Sequence, residues 1–352
     1  MTDRDRWNLR GPVQKCRLQR TWYSRACGAD ACEVEERGDT TVLEFRADGS
    51  LFRQRHHNPD RSESTSTYEF DDAGRLVTVH IESTYRDAVL QAYEYDAEGR
   101  LARIIARASE KGDRVVEDYG YDATGCKRKT HYVDLAVQRS DNTAWGVEGA
   151  DGFYSAPGAA TLTTFYNELE QPAQLLFYDQ AGRLLSRVEF VYDEAGHLVE
   201  EAQTMAEEAL PPELLKDVSP AQMETMRVVF GVGEPRRRIH RYDEQGRRSE
   251  TSSRMGPFVA DRKTVVYNDC GDPVRETYEN EEREYDVDEE GRLSDNPTRE
   301  IVSRSEARIK YDYDARGNWV KKVVEGRGGT DQDFSVSSIE SRTLAYHDLG
   351  HE

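Results

Sequence analysis

Apolar and polar side chains alternate along much of this chain. In the segment 184–192 one face is mainly apolar, and its members are Leu184, Ser186, Val188, Phe190 and Tyr192. Arg187 and Glu189 fall on the opposite face. An alternation with a period of two predicts β-strands that form a sheet with one apolar and one polar face.

A short motif separates these strands. Residues 93–101 read Tyr-Glu-Tyr-Asp-Ala-Glu-Gly-Arg-Leu, and the core aromatic-Asp-x-x-Gly occurs in seven strict copies. The copies are Phe70, Asp71 and Gly74; Tyr95, Asp96 and Gly99; Tyr121, Asp122 and Gly125; Tyr178, Asp179 and Gly182; Tyr192, Asp193 and Gly196; Tyr242, Asp243 and Gly246; and Tyr313, Asp314 and Gly317. The segments 45–49, 267–271 and 346–350 keep the aromatic residue and the Gly without the leading Asp.

Each copy is typical of the tip of a β-hairpin. The aromatic residue ends one strand, and the following Asp can bond the backbone two residues on, which favours a turn. The Gly supplies the positive φ that a hairpin loop of four or five residues needs. Because a single active site requires no repetition, we interpret these residues as structural scaffold.

The motif Tyr-x-Tyr-Asp-x-x-Gly-Arg-Leu resembles the YD repeat of the RHS family, which includes the Tc toxin C components and the teneurins. The match covers residues 45–350 approximately. The resemblance implies successive β-hairpins that wind into a shell, which in large members encloses a toxic polypeptide or binds partners on its surface. The sequence contains no Asp-Pro-x-Gly motif and ends two residues after the last repeat, so we expect it to lack a toxin tip.

These patterns predict an all-β fold of antiparallel hairpins, with strands of about five to eight residues. We expect the hairpins to coil into an open or partly closed shell-like sheet with one short helical insertion. Residues 1–44 are predicted to be N-terminal strands that lead into the repeats, and residues 45–352 the repeat body. Because repeat arrays grow as one body, we expect a single continuous structural unit.

Two segments interrupt the repeats. Residues 141–160 are rich in Gly, Ala and Ser and predict a long loop. We select Trp145, Phe153 and Tyr154 in this loop as candidate ligand contacts, with an aromatic plug packed on the sheet as the alternative. Residues 205–226 have a helical composition, with Ser219 as the predicted cap and Pro220 at the first helical position.

Charge narrows the classes of partner. The chain has 352 residues and a net charge of −20 at pH 7, which argues against nucleic acid and favours a basic partner.

No window of the sequence approaches the ~18 apolar residues of a membrane span. The start of the sequence lacks the apolar segment of a signal peptide, and the five cysteines lack a disulfide spacing. We therefore expect a cytoplasmic protein, with export by a specialised secretion system as the alternative.

Candidate chemistry is sparse. Residues 286–291 begin like a calcium loop, but Pro297 stands where an EF-hand needs a bidentate Glu, so we interpret them as a hairpin turn. Cys27 and Cys32, with Cys16 nearby, lack the second pair of a typical zinc site. The scattered histidines suggest surface positions. Motifs of hydrolases, P-loop proteins, dinucleotide-binding proteins and zinc proteases are absent from the sequence, so we expect no cofactor and no metal.

The leading functional hypothesis is a non-enzymatic β-repeat scaffold that recognises or encloses another macromolecule, in particular a polypeptide partner associated with a toxin. A first alternative is a carbohydrate-binding module that uses exposed aromatic side chains. A second alternative is an enzyme with its site in one of the two insertions. A third is a truncated shell that holds a separately encoded cargo.

Overall fold

The structure of the chain is a computed structural model. It describes residues 2–27, 32–108, 112–123, 125–132, 156, 158–206, 218–230, 232, 235–289, 292–294, 296–329 and 333–347.

The described residues form twenty strands and two short helices. The strands are β1 (Val13–Cys27), β2 (Cys32–Phe45), β3 (Leu51–His57), β4 (Glu63–Phe70), β5 (Leu76–Ser83), β6 (Arg86–Tyr95), β7 (Leu101–Ala108), β8 (Gly112–Asp122), β9 (Gly125–Tyr132), β10 (Thr161–Tyr166), β11 (Pro172–Tyr178), β12 (Leu184–Tyr192), β13 (Leu198–Met205), β14 (Arg236–Tyr242), β15 (Arg248–Met255), β16 (Val259–Tyr267), β17 (Pro273–Glu284), β18 (Arg299–Tyr313), β19 (Trp319–Gly328) and β20 (Ser335–Tyr346). The helices are α1 (Asp3–Arg6) and α2 (Pro220–Phe230).

All twenty strands belong to one sheet. The described registers are antiparallel, and they join strands that follow one another in the chain, with one addition: β1 also pairs with β20, so that Cys16 lies opposite Leu344 and Arg20 opposite Glu340. The first and last strands are thereby joined, and the sheet is closed.

The predicted open or partly closed shell-like sheet is therefore wrong. An open array leaves unpaired N–H and C=O groups on its two outer strands, and the pairing of β1 with β20 satisfies both. The predicted helical insertion is present as α2, and α1 precedes the sheet as a second short helix. Some strands exceed the expected length, since β1 and β18 each have 15 residues.

The chain divides into two compact units. The first comprises Met1–Arg114, Val266–Glu276 and Ser305–Glu352, and the second comprises Val115–Val265 and Thr277–Arg304. The predicted division at residues 44 and 45 stays a prediction.

The second unit has an apolar core on one face of β10, β11 and β12. Its buried residues are Ala156, Ala159, Leu162, Leu175, Phe177, Leu185 and Val188. Leu175 lies opposite Val188 in the register of β11 and β12. Because directly opposite residues of antiparallel strands share a face, both side chains enter this core. The predicted alternation is confirmed in β12, where Val188 is buried and Arg187 and Glu189 are exposed, although Leu184 remains 36% exposed.

The first unit has a core where β1 meets β2 and β20. Its buried residues are Leu9, Val13, Cys16, Leu43, Phe45 and Leu51, and Trp7, Tyr68, Leu344 and Tyr346 pack against them. Burial raises the pKa of the Cys16 thiol to about 11, so this cysteine stays protonated at neutral pH and behaves as a small apolar residue.

The two predicted insertions differ in how much the structure describes. In the predicted loop 141–160, only Ala156 and residues 158–160 are described. In the predicted insertion 205–226, helix α2 begins at Pro220 and continues to Phe230. Ser219 caps it, because the N–H of Gln222 donates to Ser219 Oγ at 3.2 Å and the Ser219 N–H donates to Gln222 Oε1 at 2.8 Å.

We expect Phe177→Ala to destabilise the protein by about 3–5 kcal/mol, because the substitution leaves a cavity in a closely packed core. Phe177 is 1% exposed, whereas Val191 in the same sheet is 48% exposed. The matched control Val191→Ala should change the free energy of unfolding by less than about 0.5 kcal/mol. Equilibrium denaturation in urea measures both, and equal effects would contradict the assigned core.

Candidate functional site

In six of the seven strict copies the repeated Asp closes the turn with its carboxylate. Asp71 Oδ1 accepts the backbone N–H of Ala73 at 3.0 Å and of Arg75 at 2.8 Å, and Oδ2 accepts Nε of Arg75 at 2.7 Å. The N–H and the guanidinium of Arg75 lower the pKa of this carboxyl. The residues that bond a turn backbone in the same way are Asp96, Asn167, Asp179, Asp193, Asp243, Asn268, Asp288 and Asp314.

The repeated tyrosines connect one turn to the next. Tyr95 donates its hydroxyl hydrogen to the carbonyl oxygen of Leu76 at 2.7 Å, and Tyr242 donates to that of Leu198 at 2.8 Å. A register shift immediately before Tyr95 marks a bulge, which re-aims the side chain toward the preceding turn. Arg75 lies 4.8 Å above the Tyr95 ring, which adds a cation–π contact. The Asp and Tyr side chains of these repeats are thus used to hold the scaffold together.

The predicted repeat residues occupy two classes of turn. Six strict copies lie between an even-numbered strand and the next odd-numbered strand, and we call these the repeat turns. The copy at Tyr178, Asp179 and Gly182 lies between β11 and β12 and belongs to the other class. In an antiparallel meander the two classes emerge at opposite edges. The uniform sequence motif did not reveal this difference.

A buried polar cluster lies on β13, β14 and β15 of the second unit. His240 Nε2 lies 2.5 Å from Glu201 Oε1, and His240 Nδ1 lies 3.0 Å from Thr251 Oγ1. Arg238 Nη1 lies 3.9 Å from the same Glu201 oxygen. The expectation of a surface histidine is wrong for His240, which is 2% exposed.

The order hydroxyl, imidazole, carboxylate resembles the arrangement in triad hydrolases. Here both imidazole nitrogens are engaged, and the His240 side chain is 0% exposed, which leaves a substrate no direct route to the ring. The first unit holds a similar pair, since Thr41 Oγ1 lies 3.0 Å from His56 Nδ1. Because the pairing recurs on paired strands in both units, we interpret it as a way of satisfying buried polar groups.

A second polar cluster surrounds Glu117 on β8. Lys129 Nζ lies 2.9 Å from Glu117 Oε1, His131 Nδ1 lies 3.4 Å from the same atom, and the Tyr119 hydroxyl donates to Oε2. Burial raises the pKa of Glu117, but the three hydrogen bonds outweigh it and lower the pKa to about 2. The cluster therefore holds an ionised carboxylate at neutral pH.

An exposed charged surface of the second unit is the β17–β18 hairpin at residues 277–304, which we call the acidic ribbon. It contains ten Asp and Glu residues and four Arg residues, which gives a net charge of −6. Each arginine pairs with a carboxylate, as in Arg304 with Glu279 at 3.4 Å and Arg299 with Glu284 at 3.5 Å. Hydrogen bonding to Arg283 lowers the pKa of Glu300, so this carboxylate stays ionised at neutral pH.

The acidic ribbon also exposes apolar side chains. Val302 is 70% exposed, and Tyr278 and Val287 are exposed as well. The neighbours Val302 and Ser303 are both exposed, so both faces of β18 reach solvent in this part. Sequence reasoning missed the ribbon because it interpreted residues 286–291 only as a hairpin turn, although the density of acidic residues between 276 and 290 is visible in the sequence.

A cavity of about 390 Å³ lies beside α2 in the second unit. Its walls are Ala221, Glu224, Thr225, Val228, Arg292 and Leu293. Ala221, Glu224, Thr225 and Val228 follow a helical spacing of three to four residues, so they share one side of α2.

Other predicted sites lie partly outside the described residues. Trp145, Phe153 and Tyr154 are all outside them. Within the part of the chain that the structure describes, no group of three metal-ligating side chains is found. Asp288 closes a turn, since its Oδ1 accepts the N–H of Arg292 at 2.8 Å and its Oδ2 accepts Nε of Arg292 at 2.8 Å. Neither helix in the described ranges is long and apolar enough to cross a membrane.

Comparisons with known proteins give little similarity. No protein family and no curated protein matches the sequence. The crystal structure of TcdB2-TccC3-Cdc42 matches 84% of this chain at 12% identity with a TM-score of 0.24, and a porin-like protein from Bacteroides uniformis matches 96% at 9% identity with a TM-score of 0.34. TcdB2-TccC3 without its hypervariable C-terminal region matches 91% at 12% identity with a TM-score of 0.24.

The chain spans 19% of the matched TcdB2-TccC3 chains and 98% of the porin-like protein. TM-scores this low do not establish a shared fold or function. The protein is a β-structured scaffold, which follows from its own strands and turns.

We expect Tyr242→Phe to cost about 1 kcal/mol of stability, because it removes the hydrogen bond that joins two neighbouring repeat turns. The ring stays in place and keeps its stacking on His197. Tyr85→Phe, at an exposed position, serves as the control. Chemical denaturation measures both variants, and equal stability of Tyr242→Phe and the parent protein would contradict the role assigned to the hydroxyl.

Low pH should lower the free energy of unfolding, because it protonates the Glu117 carboxylate. A folded-state pKa of about 2, below the ordinary 4.5, gives stability that is present above pH 4.5 and is lost as the pH falls toward 2. We expect Glu117→Gln to flatten this part of the curve of unfolding free energy against pH, by on the order of 2–3 kcal/mol. Urea denaturation at several pH values measures the unfolding free energy of both proteins. A Glu117→Gln variant whose unfolding free energy falls as steeply as that of the parent below pH 4.5 would count against the prediction.

Proposed function

We propose that the protein is a non-catalytic β-repeat scaffold that binds a basic polypeptide through the acidic ribbon. The observation that carries the proposal is the combination found at residues 277–304, a net charge of −6 together with exposed Val302, Val287 and Tyr278. Exposed apolar side chains that are rimmed by charged ones provide area that a binding partner can bury.

Charge and apolar contact have different roles in this binding. The surplus carboxylates attract a positively charged partner and favour fast encounter, an effect that salt weakens. The exposed apolar side chains lose contact with water on binding, and this contribution is insensitive to salt. The proposed partner is therefore a polypeptide with interspersed Lys or Arg and apolar residues.

The resemblance of the turn motif to the YD repeat supports a scaffold role, because the repeated side chains bond within and between the turns. Membership of the RHS family, association of the partner with a toxin and a cytoplasmic location are further parts of this proposal.

The first experiment is native mass spectrometry on the protein isolated gently from its own cells. The proposal expects a co-purifying basic polypeptide. A co-purifying glycan would instead favour the carbohydrate-binding alternative, and robust turnover of a defined substrate would favour an enzyme.

A designed probe tests the surface directly. The probe is a fluorescent peptide of alternating Lys and Val, whose affinity is measured by anisotropy at low and high salt. In the ribbon variant, Glu279, Glu284 and Glu300 are changed to Gln, and we expect the affinity at low salt to fall about ten-fold. The matched control changes Glu63, Glu98 and Glu189 to Gln, which removes the same charge from side chains of at least equal exposure.

The control should bind the probe within about two-fold of the parent protein. Equal weakening in both variants would show that net charge alone attracts the probe and would overturn the assignment to the ribbon. Unchanged binding in the ribbon variant would overturn it as well.

A further inference from the structure

Residues 2–12, which precede β1 and include α1, run across three turns of the first unit that join an even-numbered strand to the next odd-numbered strand, and we call these residues the strap. The N–H of Arg4 donates to the carbonyl oxygen of Gly49 at 3.2 Å. Asn8 Nδ2 donates to Asp272 Oδ1 at 3.2 Å. The Arg10 N–H donates to Asn318 Oδ1 at 2.5 Å, and Asn318 Nδ2 donates to the Arg10 carbonyl oxygen at 3.0 Å.

The three turns that the strap contacts all lack the Arg that follows the Gly in the motif. The residue after the Gly is Arg75, Arg100 and Arg247 in turns whose carboxylate it bonds. In the strap-contacting turns this residue is Ser50, Asp272 and Asn318.

Two of the three replacement residues hold the strap. Asn318 and Asp272 are 1% and 5% exposed, and both bond strap atoms. At the first turn, Ser50 is a short side chain beside Gly49, whose carbonyl binds Arg4. In the first unit these departures thus coincide with the turns on which the strap docks, while Cys126 and His197 replace the same Arg in turns of the second unit.

The strap spans the junction between β1 and β20. This junction differs from the other described pairings, which join strands consecutive in the chain. A short turn limits how far two consecutive strands can separate, whereas β1 and β20 are connected only through the long chain between them. Local opening costs least where no turn holds the partners together.

Strap contacts reach both sides of this junction. Arg342 on β20 donates from Nη2 to the carbonyl oxygen of Trp7 at 3.1 Å, and the His347 N–H donates to the carbonyl oxygen of Pro12 at 2.8 Å. Leu9 is buried in the core formed by β1 and β2, and Trp7 packs against it. Release of the strap would remove these bonds and expose this apolar surface.

We propose that the junction between β1 and β20 is the place at which the closed sheet opens, and that the strap is the latch that holds it shut. The latch confines opening to one pair of strands while the turn-joined hairpins stay intact. This proposal stands independently of the acidic ribbon, because every residue that carries it belongs to the first unit.

Hydrogen–deuterium exchange of the full chain tests the latch. The release variant combines Arg4→Ala, Asn8→Ala and Leu9→Ala and leaves all twenty strands unchanged. It removes the bond from Arg4 Nη2 to the carbonyl oxygen of Ala47 at 3.2 Å, the bond from Asn8 to Asp272 and the buried Leu9 side chain. We expect amides of β1 and β20 to exchange about ten-fold faster or more, and amides of β12 and β13 to change less than about two-fold. The matched control is Gln171→Ala, at the equivalent position of a turn in the second unit, where Gln171 Nε2 donates to the carbonyl oxygen of Gly196 at 2.8 Å.

Two outcomes would overturn the proposal. If only the strap amides exchange faster while β1 and β20 remain protected, the strap does not hold the junction. If all strands exchange faster to the same degree, the strap contributes global stability and the junction is no special opening point.

A second measurement tests the same proposal without the release variant, in case that variant does not fold. Thr21 and Ile339 lie directly opposite each other across the junction, at a separation that suits a disulfide in antiparallel strands. In the Thr21→Cys, Ile339→Cys variant, oxidation should slow exchange of the β1 and β20 amides about ten-fold relative to the reduced form. Equal exchange in the two forms would show that the junction does not open in the parent protein.

Discussion

The pairing of β1 with β20 is the constraint on which the rest of the structure depends. A sheet of twenty strands leaves a full row of unsatisfied N–H and C=O groups on each outer strand unless the two pair with each other. The register from Val13 opposite Tyr346 to Trp22 opposite Ser338 satisfies both rows at once. Closure also brings the strap against turns that lie far from it in the sequence, so that Asn8 meets Asp272 and Arg10 meets Asn318.

The repeat turns make such a sheet possible because each one favours a single geometry for the connection between two strands. A carboxylate that bonds two backbone N–H groups and an arginine favours one turn geometry, as Asp71 does with Ala73 and Arg75. The tyrosine at the end of the next strand then bonds the residue after that turn, as Tyr95 does with Leu76. Local closure and contact between neighbouring turns thus depend on the same few side chains, which leaves recognition to other surfaces.

The two kinds of charged surface in the second unit have opposite physical roles. Glu201, Arg238 and His240 are buried and bonded to one another, which limits the cost of removing them from water. In the acidic ribbon, most carboxylates remain in water and exceed the arginines in number, so their field acts on other molecules. This contrast is the reason for assigning binding to the ribbon and a structural role to the buried cluster.

The sequence by itself determined the hairpins and their turns, because Asp, Gly and the alternation of β12 act over a few neighbouring residues. The residues that follow the Gly at Ser50, Asp272 and Asn318 are visible in the sequence as departures from Arg, but only the structure gives them a role. Closure of the sheet, burial of His240 and docking of the strap on those three turns were decided by the tertiary structure. Each depends on residues tens to hundreds of positions apart, such as Arg10 and Asn318, and no short-range pattern encodes which distant partner satisfies a given hydrogen bond.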